Sequence, residues 1–505
     1  MIDPVTSPRP PETPGHDEWS DLKAKSFRGG FFVLAAQALQ FCIQITSVTV
    51  LARLLTPVDY GLFGIVMAII VALNLVKDMG LPLVTIQRTS ITRAQLSNLF
   101  WINSGLGIIL SLVLVAASPA IASFYREPRL ISMFAAMSVY CIAGGVSAQP
   151  IAIMRRSMRF KAVALIEIIS FASGVTVAII TALYGSAYWS LVCMYLTIGI
   201  VGTCIYLPAC KWLPSLPRFG SGTYPLLRSG WHLMITSFLS YATRNVDTLL
   251  IGWWRGPKEL GFYEKAYNLM LLPTMHISLP ISGVALPALS KMQVNEEVHR
   301  RHYGTIVLFT ASLGMALVAF LFVEADRIIN LVLGPQWAAS VPLFRALAPA
   351  AFVDTSLATM NWALISLGRE RRLYRLTFVM TLCTVAGFAI GLPWGATGVA
   401  VAFSVCRVGF FLPILVYVCQ HSQLIARDVL RTLIRPVTAS AGAAVLLAVI
   451  AGALPFKGPL ICRLIFDGLL FCCCFLGLWV LPPGGTRMLK LVVQLLRNRR
   501  PADDP

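Results

Sequence analysis

The stretch Ser237-Phe-Leu-Ser-Tyr-Ala-Thr-Arg-Asn-Val-Asp-Thr-Leu-Leu-Ile-Gly252 decides the fold. It lies in an apolar run from about Leu226 to Trp254, long enough to cross a bilayer as one helix. Arg244 and Asp247 nevertheless sit well inside it. Counting back from Trp254 at about 1.5 Å per residue puts Arg244 roughly 15 Å deep, near the centre of a ~30 Å hydrocarbon core. Ions at that depth face a bundle interior or a wet cavity, and they mark substrate or ion paths. The competing reading is an i,i+3 ion pair that only holds neighbouring helices together.

Composition points the same way. Of the 505 residues 57% are hydrophobic and 12% charged, which excludes an ordinary water-soluble fold. The net charge of +19 would suggest nucleic-acid binding in a soluble chain. Here the basic residues fall in short clusters between apolar runs, where they record orientation and meet anionic lipid. Almost all of the 12 Cys lie inside apolar runs with no CxxC pair, so no disulfide or metal framework is read. His299 and His302 form an HxxH with no acidic or Cys partner at ligand spacing.

Residues 1–25, rich in Pro, read as a disordered cytoplasmic tail with no cleavable signal ahead of the first span. About fourteen spans follow between 27 and 481. The fold expected is an all-α polytopic membrane protein, because only helices satisfy the backbone of such runs in lipid and barrel alternation is absent. With both termini and every even-to-odd connection placed in the cytoplasm, 28 of the 41 Lys and Arg lie inside and 8 outside. That is a strong positive-inside signal. The longest connection, 209–225, is a Pro/Gly-rich linker, and none is long enough for a soluble catalytic domain. No GxxxxGK(S/T) loop occurs, so the chain is read as neither an ATPase nor any other enzyme, and no cofactor is called for.

The chain also repeats itself at an offset of 200 residues. Arg28-Gly-Gly30 matches Arg228-Ser-Gly230, and Thr56-Pro-Val-Asp-Tyr-Gly-Leu-Phe63 matches Gly256-Pro-Lys-Glu-Leu-Gly-Phe-Tyr263. A Pro, an acid two residues on and a Gly two beyond that suit a helix N-terminus. Span 1 carries Gln37, Gln40, Gln44 and Ser47, and span 7 carries Ser237, Ser240, Arg244 and Asp247. Spacings of 3, 4 and 3 put each set on one helix face. The expectation is two six-helix bundles (26–208 and 226–419) in a parallel pseudo-two-fold repeat around a central cavity. Two extra helices (420–482) and a basic cytoplasmic tail (483–505) follow. Hydrogen bonding between neighbouring helices is the plainer role for the Gln and Ser residues.

With these residues in view, the chain resembles the polysaccharide transporter family of the multidrug/oligosaccharidyl-lipid/polysaccharide flippase superfamily. The resemblance rests on Ala52-Arg-Leu-Leu-Thr-Pro-Val-Asp-Tyr-Gly61, Arg244-Asn-Val-Asp-Thr-Leu-Leu-Ile-Gly252 and Leu260-Gly-Phe-Tyr-Glu-Lys-Ala-Tyr-Asn-Leu269. It covers roughly residues 25–420. It implies flipping of undecaprenyl-pyrophosphate-linked oligosaccharide across the bacterial cytoplasmic membrane, ahead of exopolysaccharide, capsule or O-antigen (lipopolysaccharide) assembly. Other polysaccharide-assembly proteins are the partners it suggests.

A diphosphate lifted through a low-dielectric region needs fixed cations to offset its lost hydration. The candidates are Arg244, Arg407, Lys77 and Arg345, in that order, with a local pair to Asp78 as the alternative for Lys77. Asp247, Asp354 and Asp78 either couple transport to H+ or Na+ or simply neutralise those cations. Glu264 and Lys265 read as interfacial, and His276, between Pro273 and Pro280, as cavity-lining or as filling a kink. The rival readings are an ion-coupled drug or metabolite antiporter, for which acids should outnumber cations, and a peptidoglycan lipid-precursor flippase. A membrane-embedded polymerase or ligase is a third, and it should display a large outer loop.

Overall fold

A computed structural model describes residues 37–481 apart from 89, 219–221, 294, 421, 423 and 454–457, and apart from the side chains at 229, 232, 233, 236, 239, 240, 242, 243 and 370. Both expected tails lie outside the described residues. All regular structure among the described residues is helical. The first helix, α1, is helical from 37 to 54. It is followed by α2 (Pro57–Asp78), α3 (Leu81–Gln87), α4 (Arg93–Tyr125), α5 (Arg129–Arg156), α6 (Phe160–Leu183), α7 (Trp189–Ala209) and α8 (Tyr224–Arg255). Then come α9 (Pro257–Pro273), α10 (Leu279–Lys291), α11 (Glu296–Val323), α12 (Ala325–Val332), α13 (Ser340–Ser366), α14 (Glu370–Gly391), α15 (Gly395–Gln420), α16 (Ala426–Ala453) and α17 (Leu460–Val480).

Eleven helical stretches among the described residues are long and apolar enough to cross a membrane. Spans expected separately at 373–392 and 395–419 count there as one stretch, Arg371–Gln420, because only a 3-10 turn (Leu392–Trp394) joins α14 to α15. The 32-residue α8, which carries Arg228, Arg244, Asp247 and Arg255, is not among the eleven. Between α9 and α10 the backbone widens into a π-helical turn, Thr274–Ser278, right after Pro273. His276 falls in that turn, exposed, where a local backbone irregularity takes up the bend.

The chain forms two compact units. The first takes residues up to 51, 70–122 and 128–238. In it the Pro/Gly-rich linker is strapped onto α4. Asn98 brackets Arg218, donating from Nδ2 to its carbonyl (2.8 Å) and accepting its N–H at Oδ1 (2.9 Å). Trp101 Nε1 donates to the Ser215 carbonyl at 2.9 Å, and the Ser215 N–H and hydroxyl both reach Ser97 Oγ at 3.0 Å. Side chains of α4 thus satisfy backbone groups that the prolines keep out of regular structure.

The second unit takes 52–69, 123–127 and the chain from 239 onward. Its core stacks Tyr303, Val307, Ala311 and Met315 of α11, four residues apart, with Leu357, Met360 and Leu364 of α13 and Ile414, Leu415 and Val418 of α15. The last two helices belong here: Ala443 and Leu447 of α16 and Phe471 of α17 close on Ala319 of α11.

The repeated motifs meet inside this unit. Thr56 caps α2 through Asp59 Oδ2, which accepts from the Thr56 N–H (2.8 Å) and hydroxyl (2.6 Å), with Pro57 opening the helix. At the equivalent position of α9, Glu259 caps a different helix, accepting the Ala396 N–H of α15 at 3.1 Å. A Cβ on Gly61 would strike the carbonyl of Pro257, and a Cβ on Gly261 that of Pro57. The two motifs therefore pack reciprocally through their glycines. The open carbonyls ending α1 are met by Gln336 Nε2 on Leu55 (3.0 Å) and Trp337 Nε1 on Ala52 (2.8 Å).

Replacing either glycine, Gly61→Val or Gly261→Val, drives a side chain into a backbone that cannot rotate away. The expected cost is about 1–3 kcal/mol for each, the usual range for overpacking, read as a lower melting temperature in detergent. The paired Gly61→Val/Gly261→Val variant should lose less than the sum, because the first substitution already parts the two helices.

Candidate functional site

Four of the charges expected to matter come together in the second unit. Asp247, on α8, is 2% exposed and accepts hydrogen bonds from Tyr263 Oη of α9 (2.7 Å) and from the Thr248 N–H (2.9 Å). The buried carboxylate is thus held by α9 and its own backbone. Arg244, one turn earlier on α8, is exposed. Its charge and that of Arg407 on α15 both act on Asp354 of α13. Arg407 Nε lies 3.6 Å from Asp354 Oδ1, with the two side chains 28% and 21% exposed.

Aromatic rings hold this group. The Arg407 guanidinium lies 5.1 Å from the centroid of Phe403, one turn earlier on α15, within cation–π range. Phe403 meets Tyr267 edge-on at 6.1 Å and stacks on Phe388 at 6.0 Å. Tyr267 in turn stacks on Tyr263 at 5.8 Å, and its hydroxyl feels the charges of Asp247, Arg407, Asp354 and Arg244 together. Tyr263, Tyr267 and Phe403 do not stand out in the sequence. Tyr263 and Tyr267 are four residues apart within one quoted motif, and that i,i+4 spacing is the available signal.

The other expected residues lie elsewhere. Arg345 does not join this cluster: exposed on α13, it pairs with Asp326 of α12 at 2.5 Å. Lys77 is 4% exposed in the first unit and pairs with its neighbour Asp78 at 3.3 Å, so the local ion pair is the arrangement found. A Cβ on Gly144 of α5 would fall 2.5 Å from Lys77 Nζ, so a side chain there would have to push the ammonium aside. Beside it runs a buried polar chain that the sequence does not reveal. Thr85 Oγ1 donates to Gln149 Oε1 (2.9 Å), Gln149 Nε2 to Asn103 Oδ1 (2.9 Å), and Asn103 Nδ2 to the Lys77 carbonyl (3.0 Å). On α1, Gln37 and Gln44 are exposed, Gln40 half-buried and Ser47 buried. Ser237 is exposed, and the side chain of Ser240 lies outside the described residues.

Glu264 and Lys265 are not loose in an interface. Lys265 Nζ sits 3.4 Å from the ring centroid of Tyr60 on α2 and 5.6 Å from that of Trp337. The Glu264 carboxylate occupies the space a Cβ on Gly64 would need. Both residues of α9 are therefore clamped against α2 a turn beyond the paired glycines.

Cationic and acidic side chains on and beside spanning helices suit binding and release of an anion. A family model described as "Polysaccharide biosynthesis protein" matches residues 50–342, more than half of the chain. The chain belongs to this family of polysaccharide biosynthesis proteins. Among individual members, "Lipopolysaccharide biosynthesis protein WzxC" of Escherichia coli (strain K12) is 24% identical over 390 residues, 77% of this chain and 79% of that one. "Teichuronic acid biosynthesis protein TuaB" of Bacillus subtilis (strain 168) is 25% identical over 331 residues, 65% of this chain and 68% of that one. The fold is shared with "Lipid II flippase MurJ, inward closed conformation", at a TM-score of 0.71 and 12% identity, covering 92% of this chain and 100% of that one. An inward-facing multidrug resistance MATE family transporter of the MOP superfamily gives 0.56 at 14% identity, covering 75% and 94%.

Proposed function

We propose that this family member is a flippase, carrying undecaprenyl-pyrophosphate-linked oligosaccharide repeat units across the bacterial cytoplasmic membrane for exopolysaccharide, capsule or O-antigen assembly. The observation that carries it is the ion pair of Arg407 with Asp354, on helices apolar enough to span a bilayer. Guanidinium groups offer several donors in a fixed plane and suit the oxygens of a diphosphate. The polysaccharide-assembly names of the relatives and the flippase fold support the same cargo class. The reading includes fourteen spans, both termini cytoplasmic, and six-helix halves at 26–208 and 226–419 working by alternating access. Asp247, Asp354 and Asp78 are its candidates for coupling to H+ or Na+. Nothing in the mechanism requires catalysis.

The decisive assay uses the purified full-length protein in proteoliposomes loaded with a fluorescent undecaprenyl-pyrophosphate oligosaccharide. Inner-leaflet cargo should become accessible to an external quencher far faster than in protein-free vesicles. Equal rates, with the protein shown to be folded and inserted, would reject the proposal.

A further inference from the structure

We infer that Asp354 is a built-in counter-anion, which occupies Arg407 until the diphosphate of the cargo takes its place. The inference rests on the cation site proposed above and adds a residue that limits how tightly that site binds.

Two arginines of the second unit show the contrast that carries it. Arg327 is held for good: its Nη1 reaches both carboxylate oxygens of Glu324 at 2.7 Å and Asp467 Oδ2 at 3.0 Å. Arg407 is not. Its Nε stands 3.6 Å from Asp354 Oδ1, close enough for ionic attraction but beyond hydrogen-bond length, and is left without a hydrogen-bond partner. Its Cζ lies 5.1 Å from the Phe403 ring centroid, a contact that uses none of its donors. Asp354 makes its ion pair with Arg407, while Asp247 is taken up by Tyr263 and Thr248. The carboxylate thus offsets the Arg407 guanidinium from across a gap. A diphosphate brings more negative charge and more acceptors than a single carboxylate, and it repels Asp354 as it arrives. A site that moves its ligand onward has to hold it well enough to load and loosely enough to release. Asp354 supplies that second requirement.

Inorganic pyrophosphate is the probe, titrated calorimetrically into the full-length protein in detergent. Asp354→Asn should tighten binding by about tenfold, and in an Arg407→Gln background the same change should bring less than about threefold. Arg407→Gln and Arg244→Gln alone should weaken binding. Unchanged or weaker binding by Asp354→Asn, with both arginine variants weakened, would overturn the counter-anion and leave the cation site standing. Arginine variants that bind pyrophosphate like the wild type would remove the cation site and the inference with it. Micelles doped with phosphatidylglycerol test the source of the phosphate: an equal Asp354→Asn gain there would assign the site to a bilayer headgroup and overturn the diphosphate. A second measurement needs no variant. Carbodiimide labelling of Asp354 in the wild-type protein, read by peptide mass spectrometry, should rise when pyrophosphate displaces the carboxylate, and unchanged or reduced labelling contradicts displacement.

Discussion

Arg407→Ala and Arg244→Ala are each expected to abolish export in a strain whose polysaccharide depends on this protein, with the protein still at its wild-type level in the membrane. A hydrogen bond from a charged group is worth about 1.5–3 kcal/mol, which is roughly ten- to more than a hundred-fold in rate if it is made only while cargo crosses. Losing Arg407 also leaves Asp354 without its ion-pair partner, so the site shifts toward net negative charge where a diphosphate has to sit. Arg244→Lys should restore part of the export, because the charge returns without the planar fork. Arg407→Lys should restore less, since a compact, strongly hydrated ammonium does not reproduce the contact that the guanidinium makes with Phe403. Pulse-labelled accumulation of lipid-linked oligosaccharide on the cytoplasmic side is the measurement, with immunoblots for protein level. Normal polysaccharide output from a well-expressed Arg407→Ala or Arg244→Ala strain would refute a cationic path.

The parts of this arrangement that are legible in the sequence are those in which one residue breaks a strong local rule. Arg244, Asp247, Asp354 and Arg407 are ions in apolar runs, so each announces itself. Their partners do not. Tyr263, Tyr267 and Phe403 are ordinary residues for a spanning helix, and only the assembled helices show that their rings form one connected row ending at Arg407. Thr85, Asn103 and Gln149 are neutral, come from three different helices, and have no common period along the chain. Arg345 misleads because depth counted along its own helix takes no account of Asp326, its partner, which sits on the short α12 that precedes it. The 200-residue offset reveals that two Pro-acid-Gly motifs exist; that each glycine rests on the other motif's proline carbonyl is a fact of packing, and a one-dimensional pattern does not carry it.

The largest effect on stability is expected at Arg327, through a cluster separate from the Arg407–Asp354 pair. Glu324 and Asp467 are 1% and 2% exposed, and Arg327 Nη1 touches both carboxylates. Arg463 Nε lies 3.7 Å from Asp467 Oδ2 on the other side, so two cations and two anions close a neutral set that joins the end of α11 to α17. Buried ion groups contribute little over a neutral core of the same shape, but removing one member is costly because the others stay charged without a partner. Arg327→Ala leaves two buried carboxylates to share one distant guanidinium, at an expected cost of about 3–5 kcal/mol. In detergent this should appear as the largest fall in melting temperature among single substitutions in this unit. Arg327→Lys should recover part of the loss, since all three contacts come from the one nitrogen Nη1 and an ammonium offers three donors from a single nitrogen. The discriminating variant removes charge in balance: Glu324→Gln/Arg327→Met/Asp467→Asn/Arg463→Met should melt closer to the wild type than Arg327→Ala does. If the quadruple variant melts lower than the single one, the cluster stabilises through attraction between its members, and the unpaired buried charge is the smaller of the two costs.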